Sequence, residues 1–134
     1  VLDVGTGTGV LAMVAALLGA ERVYAVDNDP VAVDTARSNV ELNNLSHCVQ
    51  VSDESVDDIG SDFTLVVANI VHDVLFSMTD GLLKLTQKNG HLILSGILTG
   101  KQEKTLSKVY EKKGFVHLRT EKREEWVALL FRKD

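Results

Sequence analysis

The chain has 134 residues, enough for one domain around one core. With 45% hydrophobic and 25% charged residues it is neither low-complexity nor disordered in composition. A net charge of −5 and a pI near 5.3 speak against a broad basic footprint, so no direct DNA binding is expected.

Cys48 is the single cysteine, which excludes an internal disulfide and any Cys-x-x-Cys metal spacing. With no signal peptide in view, the expected compartment is cytoplasmic. The longest apolar stretch, Val10 to Ala20, is too short to cross a bilayer, so no membrane partner is expected. Composition leaves the oligomeric state open.

In chain order, Val1 to Val4 reads as a strand. A protein rarely opens inside a core strand, so a domain cut from a longer chain is expected. Val10 to Leu18 reads as a helix, apolar nearly all round and therefore expected to be buried, with Gly19 as its stop. Val23 to Val26 is a second strand. Asp29 then supplies a cap and Pro30 a first helical position, and Val33, Ala36 and Val40 share one helix face. Cys48 to Val51 is a third strand, followed by an acidic, loop-like segment from Ser52 to Asp62.

Phe63 to Ala68 is apolar enough to predict a strand buried on both faces. Val74, Met78, Leu82 and Leu85 form the stripe of one helix; Asn89-Gly90 marks a turn, and His91 to Ser95 a fifth strand. Gln102 to Lys113 is an amphipathic helix stopped by Gly114. Two runs with no helix between them, Phe115 to Arg119 and Trp126 to Phe131, predict an antiparallel pair, with Trp126 packed into it. The order defines an α/β, doubly wound, mostly parallel sheet that ends in an antiparallel hairpin, within one domain spanning residues 1–134.

The segment Asp3-Val-Gly-Thr-Gly-Thr-Gly9 joins the first strand to the first helix, where open α/β sheets bind nucleotides. Gly5 permits a sharp turn, and Gly7 and Gly9 let backbone approach a ligand. Asp27, at the end of the second strand, stands where an acid holds a ribose diol. The spacing Gly5-x-Gly7-x-Gly9 departs from the Gly-x-Gly-x-x-Gly of dinucleotide binders. Asp3 would repel a pyrophosphate and suits a ligand with positive charge. S-adenosylmethionine carries an ammonium, a sulfonium and a ribose diol, and no phosphate.

The glycine motif followed by Asp27 resembles the class I S-adenosylmethionine-dependent methyltransferases, whose sheet has seven strands. Val67-Ala-Asn-Ile70, Leu94-Ser-Gly-Ile-Leu98 and Arg123-Glu-Glu-Trp-Val-Ala128 resemble, more narrowly, the PrmA-type ribosomal-protein methyltransferases. That resemblance runs from Val1 to about Lys133. It implies S-adenosylmethionine as cofactor and amino groups of a large-subunit ribosomal protein as substrate. It also implies an N-terminal substrate-recognition domain that is absent from these residues. Thr6 and Thr8 stand where relatives often have Cys and Ser.

Site candidates follow. Asp3, Gly5, Gly7, Gly9 and Asp27 would hold the cofactor; for Asp3 an acid that braces the loop by accepting backbone N–H bonds is the competing reading, and the resemblance implies that the two roles can coexist. Asn28 would meet the adenosine edge through its backbone, and Asp53, after the third strand, the adenine amino group. Asp53 lies among Glu54, Asp57 and Asp58, so a solvated acidic loop is the competing reading. Asn69, at the end of the fourth strand, is implied by the resemblance as both cofactor-binding and catalytic. Asn69-Ile70-Val71-His72 lacks the prolines and aromatic that would stack an extruded base, which disfavours a nucleobase substrate. His72 reads as a helix-start surface residue, with a base as the alternative. An RNA or small-molecule methyltransferase, and a nicotinamide-binding oxidoreductase domain, remain the alternative functions.

Overall fold

The structure is a computed structural model that describes residues 1–134. It divides into two compact units, Val1–Gly60 and Ser61–Asp134.

The first unit holds strands β1 (Leu2–Val4), β2 (Val23–Val26) and β3 (Val49–Ser52), with helices α1 (Val10–Leu17) and α2 (Pro30–Leu42) between them. All three strands are parallel, in the order β3-β2-β1, with Leu2 opposite Tyr24 and Val23 opposite Val49. Asp29 caps α2 as its sequence predicts, accepting from the Val31 N–H at 3.0 Å. Val33, Ala36 and Val40 turn inward and join Ala12, Val23, Ala25, Val49 and Val51 in one core. The acidic stretch after β3 is a loop with one turn near Asp57.

Helix α1 departs from expectation. Only Ala12 is buried along it, while Val14 is 43% exposed and Leu17 is 74% exposed. Small residues on one face are what let α1 lie close to the strands; Ala12 is fully buried, and Met13, Ala15 and Ala16 pack partly against the core. The bulky residues are thereby left outward.

The second unit holds β4 (Phe63–Asn69), α3 (His72–Ser77), α4 (Thr79–Leu85), β5 (Thr86–Leu98), α5 (Lys101–Lys112), β6 (Phe115–Arg123) and β7 (Trp126–Lys133). β4 and β5 are parallel, and β7 lies antiparallel between β5 and β6. Its core gathers Leu75, Leu82, Leu92, Leu94, Leu106, Tyr110, Phe115, Leu129 and Phe131. Tyr110, Phe115 and Phe131 meet ring to ring at 5.7–6.0 Å.

Five expectations differ from the structure in this unit. Along β4 only Val66 and Ala68 are buried, and Thr64 faces solvent. The single helix expected over Val74 to Leu85 is two, interrupted at Met78, and the buried positions are Leu75, Thr79, Leu82 and Leu85. Asn89-Gly90 is no turn between elements. It is a kink inside β5, where Asn89 has φ 65° and the register against β4 slips between Phe63 and Leu65. Trp126 is 49% exposed at the start of β7, where it pairs with Leu98 and Arg123. The hairpin is longer than predicted because the charged residues 120–123 extend β6, leaving Glu124 (φ 55°) and Glu125 as its turn.

Candidate functional site

The glycine loop leaves β1 and enters α1 with three left-handed residues in alternation, Gly5 (φ 72°), Gly7 (φ 57°) and Gly9 (φ 85°). The alternation has a cause. The Gly5 and Thr6 N–H groups both donate to the Val26 carbonyl, at 2.9 and 3.0 Å, which folds the loop over the end of β2. Gly9 has a second constraint: a Cβ there would stand 3.3 Å from Ala36 Cβ on α2. Its missing side chain lets the two helices approach at the loop.

Asp27 is clipped into this loop. Its Oδ2 accepts from the Gly7 N–H at 2.9 Å, and its Oδ1 from the Asp29 N–H at 3.0 Å. Each oxygen keeps a further lone pair, so the half-buried carboxylate retains acceptor capacity for a diol.

Asp3 lies beneath the loop, 2% exposed. It accepts from Thr6 Oγ1 at 2.7 Å and from the Ala12 N–H, and so ties the loop to the first turns of α1. Burial pushes its carboxyl up to about 6, and the negative charge of Asp27 adds to the rise, while the Thr6 and Ala12 bonds oppose it. The position acts as a brace. It also places two carboxylates close enough to feel one another, a pair that disfavours an anion and favours a cation.

Asn28 is exposed beside Asp27, and Asp53 is exposed just after β3. Near Asp53, Tyr24 donates to Glu54 Oε1 at 2.8 Å and Ser52 Oγ accepts from the Glu54 N–H at 3.0 Å. Asp3, Gly5, Gly7, Gly9, Asp27, Asn28 and Asp53 therefore all belong to the carboxyl ends of the strands in the first unit.

Asn69 belongs to the second unit, as the last residue of β4, opposite Ser95 on β5. The Ile70 N–H donates to the Ser95 carbonyl at 3.2 Å. Gly96 (φ 80°) gives this corner its room: a Cβ there would come within 2.9 Å of both Asn69 Oδ1 and the Ile70 carbonyl oxygen. His72 opens α3. It stands at the helix start as expected, its side chain partly exposed at 17%.

Two residues of the loop's support escaped the sequence. Asn39 on α2 donates through Nδ2 to the Thr8 carbonyl at 2.9 Å, across 31 positions of sequence. No local pattern announces such a bond. Thr6 was legible only as a departure from the family's glycine loop, although a hydroxyl three residues after a buried acid is the signal that would have found it.

The fold is the Rossmann-like fold of the class I methyltransferases, a doubly wound α/β arrangement of seven mostly parallel strands with a C-terminal antiparallel hairpin. The magnesium protoporphyrin IX methyltransferase of Synechocystis, solved with bound S-adenosylmethionine, shares it with a TM-score of 0.80 over 99% of this chain and 69% of that one, at 22% identity. Within that class the assignment is narrower: the model of the Ribosomal protein L11 methyltransferase (PrmA) family matches residues 1–134, and the chain belongs to that family.

The ribosomal protein L11 methyltransferase of Desulfotalea psychrophila is 44% identical over 133 residues, covering 99% of this chain and 44% of the relative. That of Bacillus subtilis is 39% identical, covering 99% and 43%. The crystal structure of the ribosomal protein L11 methylase from Lactobacillus delbrueckii subsp. bulgaricus matches with a TM-score of 0.92 at 30% identity, over 99% of this chain and 69% of that one. The chain thus spans under half the length of these curated relatives. No helix is long and apolar enough to cross a membrane.

Proposed function

We propose that this domain binds S-adenosylmethionine at the glycine loop and, as the catalytic part of a longer protein, methylates amino groups of ribosomal protein L11, on Lys side chains or the N-terminal amine. The observation that carries the reading is the clip between Gly7 N–H and Asp27 Oδ2 above the buried Asp3. A pyrophosphate needs free loop N–H groups and a positive or neutral floor. Here the Gly7 N–H is already bonded to a carboxylate and a second carboxylate lies below, which favours a ligand that is cationic and ends in a diol.

In this reading Asp27 accepts from the ribose hydroxyls with the lone pairs its backbone bonds leave over. Gly5, Gly7 and Gly9 keep the loop free of side chains where the ligand lies against backbone. Asp3 fixes the loop and offsets positive charge. Asn28 and Asp53 border the adenine, and Asn69 offers its side-chain amide to the cofactor and the incoming amine. When bound, the cofactor supplies a methyl group on a sulfonium, already reactive toward a neutral amine. The protein's share is alignment and exclusion of water.

The test is incubation of the full-length protein that carries this domain with S-adenosylmethionine and purified L11, followed by mass spectrometry of L11 peptides. The reading predicts methyl groups on L11 amines. Binding of the cofactor with L11 left unmodified, and methyl appearing on RNA or a small molecule instead, would overturn the substrate assignment. The expected cytoplasmic setting follows from the same substrate.

A further inference from the structure

The two halves of the chain differ in the sign of their charge, which the net value of −5 conceals. Residues 1–60 hold ten Asp and Glu against two Lys and Arg, and residues 61–134 hold nine against twelve, a formal −8 and +3. The excess of cations is ordered in one place. Lys101, Lys104, Lys108 and Lys112 on α5 recur at three- and four-residue steps, so they form one row along the helix. The row lies opposite Leu106 and Tyr110, which α5 buries, and all four lysines are exposed.

A solvated helix face normally mixes its signs, and this one does not. None of the four ammonium groups has an ion-pair partner. The acids of α5 are engaged elsewhere: Glu103, its side chain 18% exposed, meets Lys122 of β6 at 3.5 Å, and Glu111 accepts from Ser107 at 2.8 Å. Like charges at these steps repel and weaken a helix. Lys101 adds to the conflict, since it stands at the first helical position, where the dipole disfavours a cation. Only Lys112, in the last turn, suits the dipole. Local stability therefore does not explain the row. A bound polyanion does, because it turns the repulsion into attraction.

We propose that the lysine row of α5 is a docking surface for the phosphate backbone of an RNA duplex. Four ammonium groups spread over about 16 Å, at roughly 1.5 Å per residue, match a polymer with a charge on every repeat better than a lone anion. Lysine is a point charge on a flexible stem, suited to phosphates and without the fork that reads base edges. The one aromatic of α5, Tyr110, is buried, so the exposed face has no ring on which unpaired bases could stack, which favours a duplex over a single strand. A bilayer is a poor match, because the apolar side of α5 is already packed into the core. The choice of RNA over an acidic peptide rests on the reading above, in which the substrate is a ribosomal protein, a class whose own partner is RNA. The row would hold the enzyme beside RNA by charge alone, with no preference for sequence.

The experiment uses the full-length protein that carries this domain and a short labelled RNA duplex of mixed sequence, with binding followed by fluorescence anisotropy from about 50 to 200 mM salt. Affinity is expected to fall steeply as salt rises. Lys104→Gln/Lys108→Gln is expected to weaken binding about tenfold at the lowest salt and to reduce the slope of log affinity against log salt by about two. Lys101→Gln/Lys112→Gln is expected to do the same. Lys84→Gln/Lys88→Gln, which removes equal charge from α4 and β5, is expected to change affinity by less than about twofold. An unbound duplex, binding that both row variants leave unchanged, or an equal loss in the Lys84/Lys88 variant would each overturn the proposal. So would row-dependent capture of polyglutamate or of phosphatidylserine vesicles with RNA ignored. Methylation of L11 is measured alongside: its absence, with row-dependent RNA binding intact, would overturn the earlier reading and leave this site standing.

Discussion

Asp3→Asn tests the electrostatics of the loop directly. The wild-type carboxyl stands at about 6 in the folded protein against its ordinary 3.8, chiefly because it is buried. The folded chain therefore holds a proton that the unfolded chain has released between those two pH values. Folding is favoured by this group below pH 3.8, and the benefit is lost as pH rises through 6. The full effect is about 3 kcal/mol at roughly 1.4 kcal/mol per pH unit, of which about 2 falls between pH 4 and 6. Asparagine keeps an oxygen for the Thr6 hydroxyl and cannot titrate. The assay is urea unfolding of both proteins at intervals from pH 4 to 7, with the stability difference plotted against pH. Carboxylates remote from Asp3 act equally in both proteins and cancel, and Asp27, which feels Asp3, adds only a smaller contribution. The wild-type advantage should fall by about 2 kcal/mol from pH 4 to 6 and then level off. A difference that stays flat, or that grows with pH, would show Asp3 to be an ordinary ionised surface acid and refute the argument.

Asp27→Ala should weaken S-adenosylhomocysteine binding at least tenfold, on the order of 1.4 kcal/mol, in a calorimetric titration; unchanged affinity in a folded variant counts against the ribose role. Gly9→Ala puts a side chain at φ 85° and 3.3 Å from Ala36 Cβ, so it should cost about 1–3 kcal/mol in chemical denaturation and loosen cofactor binding. A neutral result would mean the loop tolerates another backbone path. Tyr110→Phe removes the buried bond from Tyr110 Oη to the Leu75 carbonyl at 2.8 Å, which ties α5 to α3. It should destabilise by about 1–3 kcal/mol, seen as a lower urea midpoint, and lower amide protection in α3 by hydrogen exchange.

Much of the fold was legible because its signals are local. β2 runs from Val23 to Val26 as read, and α2 begins at Asp29-Pro30 and buries Val33, Ala36 and Val40 as its periodicity requires. The errors fall where tertiary packing overrides pattern. An apolar pattern all round predicts a buried helix, but α1 meets its strands through alanines and leaves Leu17 outside. The stripe Val74-Met78-Leu82-Leu85 fits one helix, yet the break at Met78 puts Leu75 and Thr79 on the buried face in place of Val74 and Met78, while Leu82 and Leu85 are buried as read. Of the candidate site, the glycine alternation and Asp27 could be read because spacing and strand ends carry them. The role of Asp3 as a brace could be read only as one of two alternatives, since sequence shows a carboxylate but not that it is 2% exposed and bonded to Thr6.

The central claim is that the loop and Asp27 hold a cationic adenosyl ligand and no dinucleotide. Calorimetric titration of the purified chain with S-adenosylmethionine, S-adenosylhomocysteine and NAD in parallel tests it most directly. The account predicts saturable one-site binding of the two adenosyl ligands and no heat from NAD. A folded chain that ignores both adenosyl ligands, or that binds NAD in competition with them, would contradict it.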